Sequence, residues 1–253
     1  MKRNLSLFGL DAIPEIERGA PLARLLLDAI VRAELRLETG DVLVVAQKIV
    51  SKAEGRTVSL SSVTPSTQAL ELAATTHKDP RLVELMLRES REVLRAKPNV
   101  MIVEHKLGFV MASAGIDQSN VPGAEDRALL LPEDPDASAQ RLRTELIESA
   151  GVDCGVVIND SFGRAWRNGV AGIAIGVAGI PALVDMRGQP DREGRAMQVT
   201  QIAVADEIAA AASLVMGQAR EGVPAVLVRG FPYAKREGSV RELIRPRAED
   251  LFR

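Results

Sequence analysis

Apolar residues in this chain fall into short unbroken runs, separated by longer stretches in which they recur every three or four positions. Runs bounded by turn residues read as buried strands, and the spaced pattern reads as helices with one face in a core. The pattern predicts a first strand over residues 5–10 and a turn at Asp11-Ala12-Ile13-Pro14. Pro21 suits the first turn of a helix whose apolar face carries Leu22, Leu25, Leu26, Ala29 and Ile30. After the turn Thr39-Gly40-Asp41, the run DVLVVA at 41–46 predicts a buried strand, and QKIVSK at 47–52 sets two lysines at or just past its end. Two helices are predicted over 66–78 and 79–97, the second capped by Asp79, opened by Pro80 and stopped by Pro98. Residues 100–104 and 109–112 predict a hairpin around Lys106-Leu107-Gly108, which runs on into SAGIDQSN at 113–120.

In the second half, 137–150 reads as a helix with Ala139, Leu142, Leu146 and Ala150 on one face, ended by Gly151. Val156-Val157-Ile158 predicts a strand that stops at Asn159-Asp160-Ser161, three oxygen-bearing side chains where the chain leaves the core. Glycines 169, 172, 176 and 179 follow, positions where unshielded backbone can approach a ligand or another strand. A long Ala-rich helix is predicted over 200–220, closing in Met216-Gly217-Gln218, then a last strand over 225–229 and a charged, less regular tail from Phe231. No internal repeat or linker interrupts the pattern, so residues 1–253 read as one domain. The acidic, proline-bounded stretch at 132–135 reads as a surface loop, and the weakest seam lies near 132–136.

Composition narrows the picture by exclusion. A chain of 253 residues with 46% hydrophobic and 26% charged residues can bury a sizeable core. A net charge of −2 gives no general attraction to nucleic acid or anionic lipid, and 3% aromatics leave no base-stacking platform. The single cysteine, Cys154, rules out an internal disulfide and lies in an apolar run, as an inert core residue would. His77 and His105 have no partner at ligand spacing and read as structural or exposed. The longest apolar tract, 169–184, is shorter than a membrane span needs and contains Pro181; no leader pattern opens the chain. The expectation is a cytoplasmic protein.

The familiar nucleotide motifs are missing. GxxxxGK[ST] does not occur, the glycines at 172, 176 and 179 do not form GxGxxG, and no GxSxG or Ser-His-Asp pattern is visible. What recurs is an element that delivers oxygen ligands: Asp117 and Asn120 after a hairpin, Asp160 and Ser161 after a strand, Gln218 after a helix. Lys48, Lys52, Arg164 and Arg167 are cations able to face phosphates. Carboxylates, a hard divalent cation and Lys or Arg together suit phosphoryl transfer, where positioning and charge neutralisation do most of the work. Spacing alone does not bring these segments together, and ordinary turns with solvated lysines remain the alternative.

Four blocks carry a more specific signal: GDVLVVAQKIVSKAEGR at 40–56, ASAGIDQSN at 112–120, NDSFGRAWRNGVAGIAIG at 159–176 and MGQAREGVPAVLVRG at 216–230. In this order, over nearly the whole chain, they resemble the coenzyme F-420-0:L-glutamate ligase family, the γ-glutamyl ligases of deazaflavin coenzyme biosynthesis. The resemblance implies a family-specific α+β fold, with mixed and antiparallel sheets and flanking helices, in an intertwined homodimer. It implies a GTP-dependent ligase that joins L-glutamate to F-420-0 and then adds further γ-linked glutamates through an acyl phosphate. Two divalent ions, Mg or Mn, are expected, with potassium as a further ion. By motif, Asp117 and Asp160 correspond to ligands of one metal, and Ser161 and Gln218 to ligands of the second. GTP contacts are implied for Ile13, Pro14, Glu15, Ile16, Gln47, Lys48, Lys52 and Asn120, and for the segment Met216, Gly217, Gln218, Ala219, Arg220, Glu221, Gly222 and Val223. Arg164 and Arg167 are the expected contacts to the acidic deazaflavin tail. The chain is expected to lack the C-terminal flavin-binding domain fused to some relatives. A metal-dependent phosphohydrolase and a non-catalytic deazaflavin-binding protein are the alternative readings.

Overall fold

The computed structural model describes residues 4–119 and 125–251. In chain order the elements are β1 (Ser6–Leu10), α1 (Leu22–Arg32), β2 (Val42–Ala46), α2 (Gln47–Ala53), β3 (Thr57–Ser59), α3 (Thr67–Thr76), α4 (Pro80–Arg88), β4 (Ser90–Lys97) and β5 (Val100–His105). They continue as β6 (Val110–Ala112), β7 (Arg127–Leu129), α5 (Pro135–Ala150), β8 (Gly155–Arg164), β9 (Arg167–Ala178), β10 (Val184–Asp185), β11 (Gln201–Ile202), α6 (Val204–Met216) and β12 (Ala225–Arg229). This is an α+β arrangement of mixed and antiparallel sheets with flanking helices.

The main sheet has the order β1-β12-β2-β8-β9. Only β2 and β8 run parallel; every other neighbouring pair is antiparallel. Val42–Val45, Val156–Ile158 and Ala225–Val228 are all buried, so the centre of the sheet is covered on both faces and reads as continuous apolar sequence. The helix α6 packs along β9, β8, β1 and β12, while α5 packs on β8 and β9 together with α1. Two close approaches fix these helices. A Cβ at Gly172 would lie 2.4 Å from the Ala209 carbonyl oxygen of α6, and one at Gly176 would lie 2.3 Å from the Pro135 oxygen at the start of α5. These two glycines therefore seat helices on β9: the close approach is to helix backbone, not to a ligand or another strand.

Smaller sheets, β4-β5-β6 and β3-β7, form a second layer with their own buried clusters around Met86, Met101 and Val103 and around Leu60, Leu85 and Leu130. Phe109 packs edge-on against Phe162 of β8, with ring centroids 5.8 Å apart, and so joins this layer to the main sheet.

Local signals act where expected. Asp79 caps α4 through the Arg81 N–H at 2.8 Å with Pro80 behind it, and Gly151 closes α5 at φ 70°. Several elements differ from expectation. The helix predicted over 79–97 ends at Arg88, and residues 90–97 pair with β5, because non-local strand pairing outweighs a locally helix-compatible spacing. The lysines at 48 and 52 lie on the short helix α2. The strand expected to stop at Asn159 continues to Arg164 through its pairing with β9. The final long helix spans only Val204–Met216, so Gln218 lies beyond it. The acids of the loop at 132–135 are exposed as expected, but the loop is anchored: Pro132 and Pro135 are buried, and Asp134 caps α5. No helix among the described residues is long and apolar enough to cross a membrane.

Candidate active site

The parallel pairing of β2 with β8 stops at the end of β2, with Ala46 opposite Asn159, while β8 runs on beside β9. Beyond this point lies a cavity of about 470 Å³. The turn Ile13–Ile16, the residues Gln47, Lys48 and Lys52 of α2, Asn159, Asp160 and Ser161 of β8, and the segment 216–224 line it. A register shift in the β8–β9 pairing between Ile158 and Asn159 re-aims the side chains at this point. Asn159 and Ser161 then face the end of α6: Asn159 Nδ2 donates to Met216 Sδ at 3.4 Å, and Ser161 Oγ donates to Gln218 Oε1 at 2.8 Å. Gln218 Nε2 in turn donates to Ser213 Oγ at 2.9 Å, which fixes the amide.

Both cavity lysines are held by acids. Lys52 Nζ lies 2.5 Å from Glu15 Oε1, and Lys48 Nζ lies 2.7 Å from Asp117 Oδ2. Asp117 sits outside the cavity lining and is joined to it through Lys48. Its backbone forms an isolated bridge with Leu129, and its Oδ1 accepts from the Ser119 N–H at 2.6 Å. Burial works against its charge, but the Lys48 ammonium and the Ser119 bond outweigh it and hold the carboxyl below the usual range. Asp160 is the opposite case. Burial pushes its carboxyl up to about 7; the Ser161 N–H at 2.8 Å and Lys48 oppose the rise, and the Asp117 charge adds to it. No lysine or arginine forms an ion pair with Asp160 among the described residues.

A half-buried carboxylate with no ion-pair partner, beside a hydroxyl and an amide oxygen, suits a hard cation. Among the described residues no three His, Cys, Asp or Glu side chains converge, so a metal here would depend on neutral oxygens as well. Magnesium is commonly held in this way, by one or two carboxylates with the remaining positions taken by water and substrate phosphates. The donor set Asp117, Asp160, Ser161 and Gln218 therefore fits the chemistry of such an ion.

The loop beyond α6 turns tightly. Gly217 has φ 73°, and a Cβ there would lie 2.2 Å from Glu221 Cδ. Glu221 Oε2 accepts from the Ala219 N–H at 2.8 Å, which closes the turn facing the cavity. Gln47 is buried and accepts from Ser51 Oγ at 2.9 Å.

The expected site residues thus fall into groups. Ile13–Ile16, Gln47, Lys48, Lys52, Asp160, Ser161 and 216–223 meet around one cavity, with Asp117 behind Lys48. Arg164 and Arg167 do not line it; they lie at the exposed end of the β8–β9 hairpin, where Arg164 donates to the Asn168 carbonyl at 3.1 Å. Asn120 lies outside the described residues. Asn159 and Ser213 line the cavity without having been assigned to it. A buried amide ending an apolar run marks Asn159 in the sequence, whereas nothing local marks Ser213.

Lysines, carboxylates and neutral oxygens gathered where the parallel pairing of β2 and β8 stops mark the candidate cleft of an enzyme. Comparison with known proteins specifies it. The profile of the F420-0:gamma-glutamyl ligase family matches residues 11–230. The chain is 46% identical over 251 residues to the coenzyme F420:L-glutamate ligase of Methanothermobacter thermautotrophicus, covering 98% of this chain and 99% of that one. It is 46% identical over 243 residues to the protein of that name from Methanopyrus kandleri, with 94% of each chain covered. It is 44% identical over 250 residues to that of Archaeoglobus fulgidus, with 98% of this chain and 96% of that one covered. The chain belongs to the F420-0:gamma-glutamyl ligase family, and it is a ligase.

Proposed function

We propose that this ligase uses GTP to join L-glutamate to the carboxylate of F420-0 and then adds further glutamates through γ-linkages. The observation that carries this reading is the meeting of Lys48, Lys52, Asp160, Ser161 and the 216–223 loop around one cavity in a member of this family. A carboxylate is a poor acylating agent and must first be activated. The carboxylate oxygen attacks the γ-phosphorus of GTP, GDP leaves, and an acyl phosphate forms. The glutamate amine then attacks the acyl carbon, phosphate leaves with the oxygen that bridged carbon and phosphorus, and the amine gives up a proton.

Lys48 and Lys52 hold the phosphates as point charges, and the 216–223 turn supplies backbone around the nucleotide. Asp117, Asp160, Ser161 and Gln218 would hold two divalent ions, Mg or Mn, with potassium as a further ion. When bound, these ions neutralise the triphosphate and align its γ-phosphate. The acidic tail of F420-0 reaches Arg164 and Arg167 on the hairpin end. The same end exposes Trp166 and Val170, whereas Ala174–Ala178 are buried within this chain. The homodimer contact is placed at residues 163–171 in this reading, and loss of dimers in sedimentation of Trp166→Ser is the expected check.

Isotope transfer tests the activation step. With ¹⁸O in the F420-0 carboxylate, the phosphate released in the first addition should carry one ¹⁸O, and that from later γ-additions none. Phosphate free of label would rule out the acyl phosphate.

A further inference from the structure

Lys48 is held from three sides. Its Nζ lies 2.7 Å from Asp117 Oδ2 and donates to Ser119 Oγ at 2.7 Å and to the Ser119 carbonyl at 3.5 Å. An ammonium has three N–H donors, so these acceptors saturate it. Its backbone is anchored as well, because α2 buries Ile49 and Val50 in the main core. Asp117 is held just as firmly, by its backbone bridge to Leu129 and by the Ser119 N–H on Oδ1. Its second oxygen has Lys48 as cation. Asp160, whose carboxyl the nearby Asp117 charge helps to raise, has none. The other cavity lysine, Lys52, pairs with Glu15 and leaves both aspartates alone.

We propose that Lys48 is a resident counter-cation of the catalytic centre: it occupies the cation position on Asp117 until a divalent ion takes that carboxylate, and the exchange turns its ammonium into the cavity toward the anionic co-substrate. This inference rests on the metal and nucleotide reading above and names a coupling within it. Lys48 already lines the cavity, so rotation of its side chain is enough for the exchange. A cation entering at Asp117 must break the ion pair first, which weakens metal binding when the cavity is empty. A polyphosphate that accepts the Lys48 N–H groups removes that obstacle. Metal and nucleotide then assist each other through one side chain, and the assistance is reciprocal. Lys48 thereby acts as a positioning residue for Asp117 as well as a phosphate contact.

The test uses Mn²⁺ alone, titrated into the nucleotide-free protein and followed by electron paramagnetic resonance. Lys48→Met should bind Mn²⁺ roughly tenfold more tightly than the wild type, the scale of one charge-assisted bond no longer competing. Lys48→Gln should shift in the same direction and guards against a folding defect in the first variant. Lys52→Met removes the same charge from the same cavity without touching Asp117 and should stay within about threefold of the wild type, as a screened field effect. Equal tightening by both lysine variants would reduce the effect to general charge and overturn the exchange. Unchanged or weaker binding in the Lys48 variants, with the wild type still binding Mn²⁺, would also overturn it while leaving the metal reading intact. Absence of Mn²⁺ binding in every protein would instead bring down the metal reading, and the exchange with it.

Discussion

Asp160 sits where protein has replaced most of the water around its carboxylate and no ammonium pairs with it, while Asp117 nearby has both a lysine and a backbone donor. The two carboxyls therefore stand in opposite electrostatic states. Asp160→Asn keeps the shape and removes the charge, so turnover should fall on the order of a hundredfold, the scale of losing one preorganised electrostatic group. Its thermal midpoint should stay near that of the wild type. Turnover close to wild type at limiting metal would take Asp160 out of the centre. The two candidate phosphate and tail contacts separate kinetically. Lys52→Met should raise the apparent KM for GTP, because that lysine lines the cavity. Arg167→Met, out on the hairpin, should weaken use of F420-0 and leave the GTP constant nearly unchanged. Steady-state kinetics with each substrate varied in turn decide this, and equal shifts in the GTP constant from both variants would contradict the division of labour.

The main sheet works as an element only because two helices lie directly on β9. At Gly176 an added methyl would meet main-chain atoms of Pro135, which cannot rotate away. Gly176→Ala should therefore destabilise the fold by about 2 kcal/mol, read as a lower denaturation midpoint at unchanged slope. A change within a few tenths of a kcal/mol would show that α5 can shift. Elements of this kind were legible to different degrees in the sequence. Capping residues announced the start of α4 and the end of α5, and β-branched runs announced β2, β12 and the first half of β8, since those signals are local. The end of α4 was not legible, because pairing of 90–97 with β5 is a contact between segments that no spacing records. The continuation of β8 through Asp160 was hidden for the same reason: polar side chains suggest an exit from the core, whereas β9 holds the backbone in the ladder. For the site, the motif blocks marked many of the residues that meet at the cavity, but they also carried Arg164 and Arg167, which lie away from it, and they did not include Ile13–Ile16. They could not show that Lys48 pairs with Asp117, because that contact is made only once α2 and the loop after β6 pack together.

At the scale of the whole molecule, stability should carry a histidine signature. His105 is 2% exposed, and its Nδ1 accepts from the Leu107 N–H at 3.0 Å. Its Nε2 has no hydrogen-bond partner and lies 3.9 Å from Glu89 Oε2. Burial, with the charges of Lys106, Arg56 and Arg91, lowers its pKa from 6.5 to about 4. The unfolded chain then binds more protons between those values, so stability rises with pH across that window. The contribution is complete above the unfolded value and lost as pH falls toward the folded one. Between pH 7 and pH 5 the wild type should lose about 2 kcal/mol through this group, and His105→Gln should lack that slope. Equal slopes in chemical denaturation of the two proteins would show that His105 titrates normally.

The central claim is that the cleft where β2 and β8 stop pairing performs GTP-dependent glutamylation. The most direct measurement is mass spectrometry of F420-0 after incubation with the enzyme, L-glutamate, GTP and Mg or Mn. Successive additions of one glutamate residue are expected, each accompanied by one GDP and one phosphate, and none when GTP is left out. GTP hydrolysis with the mass of F420-0 unchanged would contradict it and point to a phosphohydrolase.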